Sequence, residues 1–240
     1  MQLMKRIYQL SGEPYGLHPN VYAVLGDDAV VLIDCGTNHV DLKVIDQNLL
    51  EWGLSEYPVS QLLLTHSHFD HSGNAHIFSK RGSEIVAGCS DAEGIECGDE
   101  RITYYSYNDT YITCKVDRKV SEGDVIQAAG LEFEVLHVPG HSRGSMAYRL
   151  RIDGKTVLFT GDALMAGPNG KAKLGVAVGA DYDPALYLES LKRLSRVEAD
   201  AVLGGHFHPC LRNANFLLKN GYRTGLFELR TLTTPITPHV

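Results

Sequence analysis

Apolar positions along the chain come in short runs broken by glycine and aspartate, with helical spacing in between. Residues 21–25 and 30–34 are apolar runs separated by Gly26-Asp27-Asp28, the pattern of a hairpin. Residues 40–52 place Val44, Ile45 and Leu49 at helical spacing, and Gly53 follows as a stop. Residues 61–64 read as a buried strand, 72–80 as a helix and 84–87 as another strand. A less regular stretch follows. Residues 131–138 then alternate as a strand that ends at Pro139-Gly140. Residues 146–151 and 156–160 flank Asp153-Gly154, the strongest hairpin turn in the chain. Asp183 and Pro184 pair an N-cap with a first-turn proline, opening a helix through Leu186, Leu191 and Leu194. Residues 201–203 form a last short strand before Gly204-Gly205. This mixture predicts an α/β fold with sheets covered by helices. No linker, repeat or low-complexity block divides it, so residues 1–240 are expected to form one domain with two β-rich halves, about 1–120 and 121–240.

Composition narrows the class. Hydrophobic residues make up 44% of the 240, enough for a buried core, and 21% are charged. A net charge of -7 argues against a large basic nucleic-acid surface. No apolar run approaches the roughly 20 residues that span a bilayer, and MQLMKRIYQLSGEP has no apolar stretch of the signal-peptide kind. The 5 cysteines are scattered without a CxxC pair. The expectation is a soluble cytoplasmic protein with reduced thiols, acting on a small molecule without nucleic-acid or membrane partners. An oligomer is compatible with all of this.

The chemistry concentrates at residues 65–73, THSHFDHSG, directly after Leu62-Leu63-Leu64. His66 and His68 are two apart, so on extended backbone they point the same way. Asp70 and His71 follow where the chain turns toward a helix. One pair can serve one centre and the second pair a neighbouring one; the alternative is a polar loop. Neutral imidazoles and carboxylates suit zinc, iron or manganese. Three more ligand-type residues recur in the same setting, each after an apolar strand and a glycine: His141, Asp162 and His206. Asp162 can bridge two metals because a carboxylate has two oxygens. His208 competes with His206, and placement behind Gly204-Gly205 favours His206. His76, His137, His18 and His39 read as structural or loop residues, Cys35 and Cys210 as small buried ones. Asp34 reads equally as a hydrogen-bond partner of a ligand imidazole or as a turn former before Gly36.

THSHFDH resembles the HxHxDH motif of the metallo-β-lactamase-fold hydrolases. VPGHSRGS, FTGDAL and GGHFHP are similar to the later motifs of that superfamily, in the same order, and VVLIDCG to its early strand and turn. The resemblance runs from about residue 20 to 210 and implies a four-layer αβ/βα sandwich. It also implies two divalent metal ions per chain, zinc expected, with iron or manganese as alternatives. His66, His68 and His141 would hold the first, Asp70, His71 and His206 the second, with Asp162 between them. In such sites a hydroxide between the metals attacks, and Asp70 would act catalytically by passing its proton toward the leaving group. The implied reaction is hydrolysis of a small-molecule ester, thioester or lactone, with glyoxalase-II-like enzymes the nearest branch. MAGPNGKAK stands where those enzymes carry a cysteine- and arginine-rich segment. A mononuclear iron oxygenase like the persulfide dioxygenases of the same fold is the runner-up, and a metal-binding protein without turnover the third reading.

Substrate contacts are less legible. Tyr104, Tyr105, Tyr107 and Tyr111 read either as a stacking lid or as a packing cluster. Residues 164–183 read as a flexible glycine-rich rim that could bring Lys171, Lys173 or Tyr182 to the substrate.

Overall fold

The computed structural model describes residues 1–13, 18–104 and 110–229. Seven strands form the first sheet in chain order: β1 (Gln2–Met4), β2 (Ile7–Ser11), β3 (Val21–Leu25), β4 (Val30–Ile33), β5 (Val59–Leu63), β6 (Glu84–Gly88) and β7 (Arg118–Val120). Pairing is antiparallel up to β4 and parallel from β4 onward. Parallel neighbours need crossovers. These run through α1 (His39–Glu51), then α2 (Phe69–Ser72) and α3 (Ala75–Lys80), then α4 (Cys89–Cys97).

The second sheet contains β8 (Val125–Ala128), β9 (Leu131–His137), β10 (Met146–Ile152), β11 (Lys155–Gly161) and β14 (Ala201–Gly204), in the order β14-β11-β10-β9-β8. A small hairpin of β12 (Met165–Ala166) and β13 (Ala172–Lys173) follows β11. Helix α5 (Pro184–Leu194) makes the crossover to β14, which pairs parallel with β11, and α6 (Ala214–Glu228) packs on α5. The β10–β11 turn puts Asp153 and Gly154 at φ 49° and 74°, the left-handed pair that a two-residue hairpin requires. Asp183 caps α5 by accepting from the amides of Ala185 and Leu186.

Alternation along the strands explains the layers. On β4, Val31 and Ile33 join the core between the two sheets, while Val30 and Leu32 face α1, α3 and α4. On the second sheet, Val157 and Phe159 of β11 point to the inter-sheet core and Leu158 to α5 and α6. Three apolar layers thus hold four layers of secondary structure, the αβ/βα sandwich. Central strands covered on both faces read as unbroken apolar runs.

Some expectations change. The helix expected over 72–80 starts earlier and is split at Gly73-Asn74 into α2 and α3. On α1 the buried stripe is Asp41, Ile45 and Leu49, with Val44 exposed, and on α5 Tyr187 rather than Leu186 faces inward. The irregular stretch contains α4, β7 and β8. Among the described residues no helix is long and apolar enough to cross a membrane.

Candidate metal centre

Four strand ends meet at one edge of the sandwich. β5 leads to His66, His68, Asp70 and His71; β9, β11 and β14 lead to His141, Asp162 and His206. The fold brings all seven together, in groups whose ligand atoms lie within 4.8 Å of one another: His66, His68 and His141; Asp70, His71 and His206; and His66, His71 and Asp162. The third group joins the other two.

In the first group the rings stand edge to face, with centroids 4.5, 4.6 and 4.8 Å apart. Their Nε2 atoms are buried and have no hydrogen-bond partner, nor does Oδ1 of Asp162. Burial without a partner costs a polar atom free energy, and a cation among the three Nε2 atoms would satisfy them together. In the second group His71 Nε2 lies 3.2 Å from His206 Nε2, and Asp70 Oδ2 is 3.2 Å from His206 Nε2 and 3.5 Å from His71 Nε2. Ligands bound tetrahedrally at zinc distances stand about 3.3 Å apart, so the spacing fits such an ion. Asp162 lies between: Oδ1 is 3.5 Å from His71, and Oδ2 is 3.6 Å from both His141 and His206. A side chain at Gly205 would collide with Asp162 and the His71 ring, which is the steric reason for glycine before His206.

Electrostatics divide the groups. Burial, followed by the neighbouring imidazoles, lowers His66 well below its ordinary range, and burial also lowers His68. Burial pushes His141 down to about 3. These rings are held neutral, the form that ligates. Burial also opposes charge on His71, but Asp70, Asp162 and Asp34 outweigh it and raise the ring to about 10. His206 is raised against burial by Asp162 and Asp70. Against their own burial, Asp70 is held below the usual carboxylate range by His71 and His206, and Asp162 by His206 and His71.

Supporting side chains orient the ligands. Asp34, buried at φ 60°, settles its two readings: its Oδ2 accepts from His71 Nδ1 at 2.9 Å. The same oxygen accepts from Thr65 Oγ1 at 2.8 Å, and Thr65 Oγ1 sits 3.1 Å from His66 Nδ1. Both imidazoles therefore hold a proton on Nδ1 and turn Nε2 to the cluster, the tautomer each takes when neutral. Buried Asp91, on α4, ties together the two loops of the first group. It accepts from the Ser67 amide, the Ser142 hydroxyl and the Gly144 amide at 2.8, 2.7 and 2.7 Å. Buried tyrosines clamp the ligand loops across the sheets. Tyr148 of the second sheet donates to Leu64 O, Tyr22 of the first to Gly204 O, and Tyr187 to Asp162 O. Asn20 adds bonds to Gly204 O and Phe207 O. None of Asp91, Asn20, Tyr22, Tyr148 or Tyr187 stands out in the sequence, because each acts on a loop tens of residues away.

The other candidates disperse. His208 is not part of the cluster, and His18 pairs with Asp41 at 2.7 Å. His76 and His137 bond backbone carbonyls of Gly73 and Arg143. Cys35 is buried against His71 O, whereas Cys210 is only half-buried. Tyr111 bonds Ser72 and, with Tyr104, packs on the helix-side core, while Tyr105 and Tyr107 lie outside the described residues. The glycine-rich segment contains the β12–β13 hairpin. It brings Lys173 to the cavity over the cluster; Lys171 lines a separate cavity, and Tyr182 packs on Tyr187.

Comparison with known proteins matches this architecture. A sequence model of the metallo-β-lactamase superfamily matches residues 14–206. A hydroxyacylglutathione hydrolase of Rhodospirillum rubrum is 30% identical over 191 residues, covering 77% of this chain and 64% of its own. The human acyl-coenzyme A thioesterase MBLAC2 is 29% identical over 177 residues, covering 63% of this chain and 60% of its own. The chain thus spans less than two thirds of the length of these curated relatives. Among solved structures, a metallo-β-lactamase family protein of Thermus thermophilus superposes with a TM-score of 0.72 at 23% identity, over 96% of this chain and 83% of that one. BJP-1, a subclass B3 metallo-β-lactamase of Bradyrhizobium japonicum, gives 0.71 at 21% identity, over 98% and 96%. With its motifs, its four layers and its convergent ligand groups all of one kind, this chain belongs to the metallo-β-lactamase superfamily.

Proposed function

We propose that the protein is a two-metal hydrolase that cleaves a small-molecule thioester, ester or lactone. The observation that carries this reading is the position of Asp162, one carboxylate reaching an imidazole of each ligand group at 3.5–3.6 Å. The names of the curated relatives, a hydroxyacylglutathione hydrolase and an acyl-coenzyme A thioesterase, favour a thioester. The unpaired Nε2 atoms of His66, His68 and His141 would hold one divalent ion, and Asp70, His71 and His206 the other, zinc being the expected metal. When bound, such ions lower the pKa of water toward neutrality and polarise the scissile carbonyl.

The protein's own groups do the remaining work. Asp34 and Thr65 keep His71 and His66 in the ligating tautomer. Asp70 lines the cavity beside His206, placed to take a proton from the attacking water and deliver it to the leaving group. A cavity of about 240 Å³ suits a small molecule rather than a nucleic acid or membrane. The free thiols fit a reducing compartment such as the cytoplasm. The test measures metal content and hydrolysis together, across thioesters, lactones, β-lactams and phosphodiesters. About two zinc ions per chain with thioester or ester turnover is the expected result. One iron per chain with oxygen consumption would overturn the reading.

A further inference from the structure

The cavity over the metal centre has a polar floor and apolar walls. The floor is the ligand cluster. The walls are Phe69, Met165, Leu174, Val176, Val178 and Phe207, and beyond the cluster the polar side chains that line it among the described residues are Thr103 and Lys173. A strap, residues 174–179 (LGVAVG), forms one wall. It is hydrogen-bonded at its first end, beside His141, and its second end lies near His68. The Gly175 amide donates to Asp162 O at 2.9 Å and to Tyr187 Oη at 2.8 Å, and a side chain there would collide with the His141 ring. Gly179, at φ 90°, brings its backbone beside His68. Between these ends Val176 is 67% exposed, an apolar side chain at the rim. Opposite, Met165 and Phe69 are buried, and Phe207 sits at φ 62°, a strained conformation for a bulky residue. Asn20 holds its carbonyl at 3.3 Å.

Walls of this kind select against polar groups. A hydroxyl or amide carried into them leaves water and finds few partners, whereas each methylene gains by burial. The volume is about 240 Å³, on the scale of a small molecule. That is room for a carbonyl and a short chain.

We propose that this cavity is an acyl subsite: the substrate carries a short apolar acyl group, and Val176 and Val178 set that preference. The inference rests on the hydrolase reading. In the reaction, a bond forms between a water oxygen and the acyl carbon, and the carbon–sulfur or carbon–oxygen bond breaks. The products are the carboxylic acid and the thiol or alcohol, which takes the proton.

The test uses metal-loaded protein and acyl thioesters of one neutral thiol, N-acetylcysteamine, from acetyl to decanoyl, plus lactoyl. kcat/KM should rise about fourfold per methylene as far as about hexanoyl and then level off, with lactoyl below propanoyl. Val176→Asp should flatten that rise with metal content unchanged, while Leu186→Asp, on the exposed side of α5, should preserve it. Calorimetry of the acids gives a readout without turnover: hexanoate should bind more than tenfold tighter than acetate. Hydrolysis indifferent to chain length, or favouring lactoyl, overturns the acyl subsite and leaves the hydrolase reading standing. No hydrolysis of any ester or thioester overturns that reading; hexanoate selectivity would then still support an apolar subsite, and equal binding of the two acids would end both.

Discussion

His66, His68 and His141 form a group of three imidazoles; Asp70, His71 and His206, across Asp162, form a group with a carboxylate of its own. The first is kept neutral by burial, and its Nε2 atoms have no partner. The second is charge-balanced within itself, its histidines raised and its aspartate lowered. The same seven-residue cluster thus contains one set of imidazoles favoured in the neutral form and one set favoured in the protonated form by its carboxylates. A metal ion held at the second group would compete with protons there, so its affinity should depend more steeply on pH.

The largest test of this division is Asp162→Ala. Its carboxylate reaches an imidazole of each set, at 3.5 and 3.6 Å, so turnover should fall by at least about a thousandfold. Circular dichroism should show the fold retained. Near-normal activity in that variant would break the two-metal account.

Separating the two supports comes next. Asp91 ties the loops of the first group, and Asp34 bonds His71 of the second directly and His66 only through Thr65. Losing such an orienting partner typically costs about 10–100-fold in metal affinity. Asp91→Asn should therefore weaken the first site and spare the second, and Asp34→Asn should weaken the second more than the first. Chelator competition with equilibrium dialysis reads both. Equal weakening of both sites by both variants would show that the groups are not separable.

The smallest expected effect is on metal-free stability against pH. His141 folds with its pKa depressed to about 3, against about 6.5 unfolded. Its contribution is complete above about 6.5 and is lost as pH falls through about 3. His71 folds with its pKa raised to about 10. Its contribution is complete below about 6.5 and is lost as pH rises through about 10. Chelated protein should be most stable near pH 6.5 by urea denaturation, and metal should flatten the alkaline side. A monotonic profile would mean that one group dominates.

Much of the cluster is legible in the sequence because its seven residues sit on local landmarks. Each follows an apolar strand, and Gly204-Gly205 separates His206 from His208 as the member of the cluster. The hairpin at Asp153-Gly154 and the cap at Asp183 are legible for the same reason: turn and cap chemistry is decided within a few residues. The tyrosines show the opposite case. Four cluster conspicuously in residues 101–111, yet Tyr111 packs on the helix-side core, and the residues that clamp the ligand loops are Tyr22, Tyr148 and Tyr187, scattered through strands and a helix. Asp34 is legible only as two alternatives, since its hydrogen-bond partners are Thr65 and His71.

By itself the sequence determined the alternation that buries both faces of β4 and β11, the strand ends and the identity of the groups placed there. These depend on neighbours one to four positions away. Only the tertiary structure decided the support of the centre and the character of its cavity. The first sheet's Tyr22 holds a loop of the second, the second sheet's Tyr148 holds a loop of the first, and Asp91 ties two loops together across both. A glycine–valine strap, which reads as a flexible rim, becomes an apolar wall because its ends lie beside His141 and His68. Such contacts join residues tens to nearly two hundred positions apart, and their energy exists only once both sheets have packed.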